Sequence, residues 1–180
     1  MSRAFVKEPD GDSPGDLPER PISPHPNYVR PQGLRRLQDE AARLQAERDA
    51  LEGEGDAMDV VARRAVLARD LRYVRARIES AIVVPPGGAP PDQVRFGMRV
   101  TVADEDGVAR TFDIVGEDEA DADEDRVSWV SPLARAVMGA HVDDEVTWRR
   151  PAGDAVLTVV RIEEPVGPAR ARRRSRLGRT

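Results

Sequence analysis

Apolar residues recur every three or four positions in a segment that begins at Gly33. The apolar members of this seam are Leu34, Leu37, Ala41, Leu44 and Leu51, and Arg48 fills the remaining position between Leu44 and Leu51. The residues between them are mostly charged or polar, as on the solvated face of a helix. The pattern predicts a helix of about 20 residues, or about 30 Å at 1.5 Å per residue. Gly53 and Gly55 are expected to end it.

A second seam with the same spacing follows these glycines. Its members are Val60, Leu67, Leu71, Val74, Ile78 and Ala81, with Arg64 interrupting the pattern. Each segment carries one narrow apolar stripe, and a short glycine-containing connection joins them. We therefore predict an antiparallel coiled-coil hairpin over residues 32–82, in which each helix buries its stripe against the other.

From Val94 onward the apolar period becomes two. The stretch "RVTVADEDGVARTFDIVG" predicts two strands joined by a tight turn at Asp106-Gly107. Three more strands are predicted in "RVSWVS" and "DEVTWRRPAGDAVLTVVRIEE". Between them, "SPLARAVMGA" predicts a short helix with Ser131 as its N-cap and Pro132 as its first residue. Residues 94–164 are thus expected to form a small α+β domain with a largely antiparallel sheet.

Three segments lack apolar periodicity. Residues 1–31 contain seven prolines and are predicted to be a disordered or extended, polyproline-like leader. An alternative for its part 21–29 is local docking through Ile22, Tyr28 and Val29. Residues 83–93 contain four prolines and two glycines, which indicates a linker with neither helix nor strand. Residues 165–180 carry six arginines and no acid, and are predicted to be a disordered tail. This tail is either a solubility segment or a contact for nucleic acid.

Composition narrows the classes of function. The net charge is −5, so the chain without its six tail arginines carries −11, which argues against broad coating of nucleic acid. The absence of cysteine excludes disulfides and thiolate metal sites. No apolar run approaches the roughly 20 residues of a membrane span, and "MSRAFVKEPDGD" lacks the apolar core of a secretory signal. We expect a cytoplasmic protein with no membrane partner.

The connection between the two predicted helices is unusually acidic. Within "LEGEGDAMDVV" the acids are Glu52, Glu54, Asp56 and Asp59. One interpretation is a solvated loop in which Asp56 or Asp59 caps the second helix. The other is a group of carboxylates that assists a hard cation. The second helix also carries arginines at 63, 64, 69, 72, 75 and 77, as a solubilising face or as contacts for RNA or for an acidic channel.

Other candidate chemistry is weaker. Asp121, Asp123 and Asp125 have the first three spacings of an EF-hand, but Arg126 occupies its glycine position and Pro132 its final glutamate position. We therefore predict a solvated loop over this acidic run. Neither of the two histidines lies in a nucleophile motif, and no glycine-rich phosphate-binding loop is present. The sequence thus gives no sign of a free-standing enzyme.

Four stretches of the C-terminal half carry a family resemblance. They are "VRFGMRVTVADEDG", "FDIVGEDEAD", "VSWVSPLARAVMGAHVDDEV" and "PAGDAVLTVVRIE". In this order they resemble the bacterial GreA/GreB transcript cleavage (elongation) factors. The hairpin matches more weakly, through "PQGLRRLQDE" and "GDAMD". The resemblance covers residues 30–164 and leaves out the proline-rich leader and the arginine tail.

The resemblance implies an accessory factor rather than an enzyme. It implies an FKBP-like C-terminal domain that docks on bacterial RNA polymerase at its secondary channel, through Ser131, Pro132, Leu133 and Arg135. The coiled coil enters the channel beside the nascent RNA and the DNA. Asp56 and Asp59 then help to hold a Mg²⁺ shared with the polymerase, which hydrolyses backtracked RNA. The factor has no cofactor of its own, and we expect a monomer.

The tip departs from the family pattern Gly-Asp-x-x-Glu-Asn. Asp56 matches the aspartate, Asp59 takes the glutamate position, and Val60 replaces the asparagine. Both arms are shorter by roughly one heptad, which would retract the tip by about 10 Å. A polymerase-binding regulator without cleavage activity, similar to the regulator of nucleoside diphosphate kinase, is therefore an alternative. A module that binds some other enzyme is a third hypothesis.

Overall fold

The computed structural model describes residues 17–87 and 92–164. Residues 1–16 of the predicted leader, 88–91 of the predicted linker and the predicted tail 165–180 lie outside this part of the chain. The chain divides into two units. Of the described residues, the first unit contains 17–27 together with Gln32–Ile82, and the second contains Tyr28–Pro31 together with 83–87 and 92–164.

Two helices build the first unit. Helix α1 spans Pro31–Ala50 and is followed by a 3-10 helix, Leu51–Gly53, and helix α2 spans Met58–Glu79. Their buried apolar side chains are Leu37, Leu44, Leu51, Leu67, Leu71 and Val74. All six are members of the two predicted seams, so the 3–4 spacing located the apolar face of each helix correctly.

Two contacts give the relative direction of these helices. The Arg75 guanidinium donates a hydrogen bond of 2.9 Å to Oε1 of Gln45, in the C-terminal half of α1. Arg64, near the start of α2, donates to the carbonyl oxygen of Leu51, just beyond the end of α1. Because later residues of α2 contact earlier residues of α1, the helices run in opposite directions.

Residues 17–27 contact α2, whereas the sequence predicted a disordered leader over this part of the chain. The Arg20 guanidinium lies 3.9 Å from the ring centroid of Tyr73. Asn27 is 4% exposed, and its Nδ2 donates a hydrogen bond of 2.7 Å to the backbone carbonyl of Arg77. These contacts are ionic, aromatic and hydrogen-bonded, so they leave no apolar period in the sequence.

The described residues form two sheets. Strand β1, Tyr28–Val29, pairs with β2, Ile82–Val83, so the predicted linker begins with a strand residue at Val83. The five-stranded sheet contains β3 (Arg99–Asp104), β4 (Ala109–Val115), β5 (Arg126–Ser128), β6 (Glu145–Trp148) and β7 (Ala155–Glu163), in the order β5-β4-β3-β7-β6. Only the pairing of β4 with β5 is parallel in this sheet, which confirms the α+β class with a largely antiparallel sheet.

Helix α3, Pro132–Val137, and the strands contribute to one apolar core. Val100, Phe112 and Val159 from three adjacent strands are at most 1% exposed, and Val137 of α3 is fully buried. Such burial follows from the period of two, which directs alternate side chains to one face of a sheet.

The turn between β3 and β4 is longer than the predicted two-residue turn. It covers residues 105–108, and Gly107 has a φ of +77° that favours glycine. Oδ1 of Asp104 accepts hydrogen bonds from the backbone N–H groups of Asp106 and Val108.

Within residues 17–87 and 92–164, no helix combines the length and apolarity that crossing a membrane requires.

Candidate functional site

The connection between α1 and α2 presents the predicted tip acids to solvent. The 3-10 helix ends at Gly53, and Gly55 has a φ of +77°, a conformation that reverses the chain at little cost for glycine. Asp56 follows directly, and its side chain is 94% exposed. Asp59 is also exposed and lies in the first turn of α2. The structure therefore places both acids at the same end of the helical unit, where they are accessible to a partner.

Neither acid serves as the N-cap of α2. The N-cap residue is Ala57, and no side chain accepts a capping hydrogen bond there. The interpretation of Asp56 or Asp59 as the capping residue is thus wrong. A carboxylate at the position of Asp59 still interacts favourably with the positive end of the helix dipole. Helix capping alone does not account for two acids at this position.

Arg64 is the basic side chain that contacts the tip. Its Nη1 lies 3.3 Å from Oδ1 of Asp56, and its Nη2 donates to the carbonyl oxygen of Leu51. Arg64 is 27% exposed, so its stem lies against the helical unit while its guanidinium reaches the loop. One of the two tip carboxylates is therefore already paired with a cation of the same chain.

The donor chemistry fits a shared Mg²⁺ but not a site built by this chain alone. Carboxylate oxygens are the ligands that Mg²⁺ prefers, and it usually retains several waters or ligands from a substrate. Among residues 17–87 and 92–164, no group of three or more His, Asp or Glu side chains could hold a metal ion. Asp56 and Asp59 can therefore supply a minority of the ligands, and a partner would have to supply the rest.

The arginines of α2 do not form a common binding face. Arg77 is 2% exposed and lies inside the first unit. Arg69 pairs with Asp70 at 2.9 Å, and Nε of Arg72 donates to Oε1 of Glu19 at 3.0 Å. These arginines are engaged within the chain, which favours a structural role for them over a dedicated RNA groove.

The predicted docking helix forms as expected, but its residues differ in exposure. Ser131 is the N-cap of α3, where its Oγ accepts a hydrogen bond of 3.2 Å from the backbone N–H of Ala134, and Pro132 occupies the first turn. Pro132 and Arg135 are exposed. Leu133 is 5% exposed and belongs to the core. Leu133 therefore packs in the core beneath this surface, while Ser131, Pro132 and Arg135 can contact a partner.

A cleft of about 320 Å³ lies next to the same helix. Leu133 contributes to its floor, together with Val102 and Leu157, while Trp148 and Arg150 line its side. The Arg150 guanidinium lies 5.1 Å from the ring centroid of Trp148. The lining of this cleft also includes four acids, which are Asp104, Glu105, Asp106 and Asp154.

The sequence analysis missed a buried ion pair in the second unit. Glu119 is 4% exposed, although it lies in the acidic run predicted to be solvated. Its Oε1 accepts a hydrogen bond of 2.8 Å from Nε of Arg30, and its Oε2 accepts one of 3.0 Å from the Arg30 backbone N–H. Nothing in the local pattern marks this glutamate, because its partner lies 89 residues away.

Gly116 lets the segment around Tyr28 lie close to the acidic run. A Cβ atom at Gly116 would lie 2.5 Å from the carbonyl oxygen of Tyr28. The Tyr28 ring packs edge-on against Trp129, with centroids 5.1 Å apart, and against Phe96 at 5.8 Å. The residues just before α1 are thereby fixed within the second unit.

Comparisons with known proteins give one consistent result. A family model described as the C-terminal part of the transcription elongation factors GreA/GreB matches residues 89–164. GreB of Neisseria meningitidis serogroup B is 34% identical over 152 residues, which cover 76% of this chain and 93% of that protein. GreA of Zymomonas mobilis is 35% identical over 145 residues, which cover 73% of this chain and 92% of that protein. GreB of Pseudomonas aeruginosa is 45% identical over 98 residues, but this match spans only 54% of this chain and 58% of that protein.

Proposed function

Because the chain belongs to the GreA/GreB family of transcription elongation factors, we propose that it binds bacterial RNA polymerase in its secondary channel and stimulates Mg²⁺-dependent cleavage of backtracked RNA. In this proposal the helices form a coiled-coil hairpin, and the second unit is an FKBP-like docking domain. The protein acts as a monomeric accessory factor in the cytoplasm, on an elongation complex that holds the nascent RNA and the DNA.

The observation that carries this proposal is the exposed acid pair at the tip. Asp56 is 94% exposed, and Asp59 lies three residues later in the first turn of α2. Two carboxylates on a connection that neither caps a helix nor builds a metal site alone are suited to complete a site on a partner. The family relationship supports RNA polymerase as that partner.

The two acids would perform one task in the complex. Asp56 and Asp59 place carboxylate oxygens beside the polymerase active site, where they share in holding Mg²⁺. When bound, Mg²⁺ supplies a hard Lewis acid that can activate water for hydrolysis of a phosphodiester. Because the chain contributes only these ligands, the polymerase provides the remaining catalytic groups.

Docking is assigned to the exposed residues of α3 and its N-terminus. Ser131, Pro132 and Arg135 form the contact surface, and Arg135 offers a guanidinium to acidic groups on the polymerase. Leu133 supports this surface from the core and is not assigned a direct contact.

A second candidate function is regulation of RNA polymerase without cleavage. Two observations favour it. The helices contain 20 and 22 residues, which corresponds to about 30 and 33 Å, and Asp56 is paired with Arg64. A short hairpin whose tip is partly neutralised could occupy the channel without delivering both carboxylates to the metal.

The test uses stalled, backtracked elongation complexes. They are incubated with the wild-type chain, with Asp56→Asn/Asp59→Asn, and with Glu52→Gln/Glu54→Gln, which removes the same charge from the same connection. The proposal predicts Mg²⁺-dependent RNA shortening by the wild type and the Glu variant, and loss of at least about tenfold with the Asp variant. Binding of the wild type without shortening would leave the second candidate, and absence of polymerase binding would refute both.

A further inference from the structure

Arg64 connects the tip acid to the body of the helical unit. Its guanidinium donates to the backbone of Leu51, which is 6% exposed, and its Nη1 lies 3.3 Å from Oδ1 of Asp56. The two contacts use different nitrogens of one planar group, so the position of the carboxylate follows from the position of the buried leucine. A freely rotating loop side chain would lack such an anchor.

The same contact occupies an oxygen that a metal would use. Arginine carries its charge at every physiological pH and has no acceptor atoms, so it cannot share a cation with Asp56. A divalent ion that approaches Oδ1 meets a positive charge at hydrogen-bond distance. By contrast, Arg63 is exposed on the preceding position of α2, and none of the described hydrogen bonds or ion pairs joins it to Asp56.

We infer that Arg64 is a positioning residue that holds the Asp56 carboxylate at the tip until a divalent cation replaces its guanidinium. Arg64 and the cation therefore compete for one carboxylate. The inference deepens the proposed function and rests on it for its biological meaning. According to this inference, Arg64 sets the cation concentration that is needed to occupy Asp56. It also keeps this exposed carboxylate in place before a partner is bound.

The expected effect is modest because the pair is exposed. An ion pair in solvent changes an equilibrium by about fivefold at most. Removal of the Arg64 charge should therefore lower the cation concentration required at Asp56 by about twofold to fivefold. Arg64→Gln preserves a side-chain donor for the Leu51 carbonyl, and Arg64→Lys preserves the charge.

The first arm of the test uses the full chain without polymerase and Mn²⁺ as the probe. Paramagnetic broadening of the Asp56 side-chain NMR signals is followed as Mn²⁺ is added to the wild type, Arg64→Gln, Arg64→Lys and Arg63→Gln. Half-broadening is expected at a Mn²⁺ concentration twofold to fivefold lower in Arg64→Gln and near the wild-type value in the other two. Circular dichroism verifies that each variant retains its helices.

Two results of this arm would overturn the inference. Equal Mn²⁺ concentrations for half-broadening in the wild type and Arg64→Gln would show that Arg64 and the cation do not compete. If no variant shows broadening without the polymerase, the Mg²⁺ dependence measured in the second arm decides, because the polymerase supplies the remaining ligands there. An equal shift in Arg63→Gln would assign the effect to the overall charge of the tip rather than to the contact.

The second arm measures RNA shortening in backtracked complexes against Mg²⁺ concentration. Arg64→Gln should reach half of its maximal rate at a Mg²⁺ concentration about twofold to fivefold lower than the wild type, while Arg63→Gln should not. Shortening by no variant, combined with the expected Mn²⁺ result, would refute the proposed function and leave the competition intact. Shortening with unchanged Mg²⁺ dependence would refute the competition alone.

Discussion

Replacement of Glu119 by glutamine should destabilise the second unit strongly. The Glu119 carboxylate is 4% exposed and accepts two hydrogen bonds from Arg30, which is itself 6% exposed. Gly116 donates a third, longer bond of 3.4 Å through its backbone N–H. Glu119→Gln keeps the shape of the side chain but removes the negative charge that faces the buried Arg30 guanidinium.

The magnitude follows from the burial of both partners. Loss of one member of a buried ion pair costs about 3–5 kcal/mol, because the remaining charge stays desolvated. A glutamine oxygen retains part of the hydrogen bonding, so we expect about 3 kcal/mol. With a urea m-value of about 1–3 kcal/mol/M, the unfolding midpoint should fall by about 1–3 M.

The assay is urea unfolding followed by the fluorescence of Trp129 and Trp148, both in the second unit; Trp129 packs on the nearby Tyr28 ring. Glu124→Gln is the control, since it removes an exposed acid from the same run and should stay within about 0.5 kcal/mol of the wild type. Replacement of both charges, as Arg30→Met/Glu119→Gln, should recover much of the stability, because the glutamine oxygen can still accept from the backbone N–H at position 30. A cost below about 1 kcal/mol for Glu119→Gln would refute the account of this pair as a buried, mutually dependent unit.

Three further substitutions test other contacts. Asn27→Ala removes a buried hydrogen bond to the Arg77 carbonyl and should lower the free energy of unfolding by about 1–2 kcal/mol, measured by thermal unfolding. An unchanged stability would show that residues 17–27 do not pack against α2. Gly116→Ala places a Cβ atom 2.5 Å from a backbone oxygen and should cost about 1–3 kcal/mol, whereas a neutral result would exclude the close approach. The hydrogen bond from Arg43 lowers the pKa of Glu40 below its ordinary value of 4.5, so its stabilising effect exists above that pH and is lost as the pH falls through the lowered pKa. Glu40→Gln should therefore reduce the loss of helicity in acid, and an unchanged acid profile would contradict this assignment.

Periodicity predicted the elements that pack through apolar surface. The 3–4 spacing of Leu37, Leu44 and Leu71 identified buried positions on the two helices, and Ser131 followed by proline located the start of α3. Such patterns are local consequences of helix and strand geometry, so they can be recognised within a short window of sequence.

Contacts between polar residues distant in sequence were not predictable in the same way. Glu119 resembles its exposed neighbours in the acidic run, and only the fold brings Arg30 to it. The contact of Arg64 with Asp56 also depends on the exact path of the tip connection. One signal was nevertheless present, since Arg64 occupies a seam position, where a long basic side chain must lay its stem on the core and extend its head outward.

Residues 17–27 illustrate a third limit. Proline content indicates that a segment cannot form a regular helix or a central strand, but it does not exclude packing. Arg20 stacks on Tyr73, and Asn27 caps the backbone near the end of α2, through contacts that need no apolar repeat. The distinction between a disordered leader and a packed one lies in a few side chains.

The central claim is that the tip reaches the active-site metal of RNA polymerase, and the most direct measurement is local cleavage of the protein chain. Fe²⁺ is substituted for Mg²⁺ in a backtracked elongation complex bound to this protein, and the hydroxyl radicals generated at the metal cut only nearby polypeptide. The account predicts cuts within residues 51–59 that disappear when a competing excess of Mg²⁺ is added. Cuts in the polymerase with none in this segment, while the protein remains bound, would show that the tip does not reach the metal and would contradict the account.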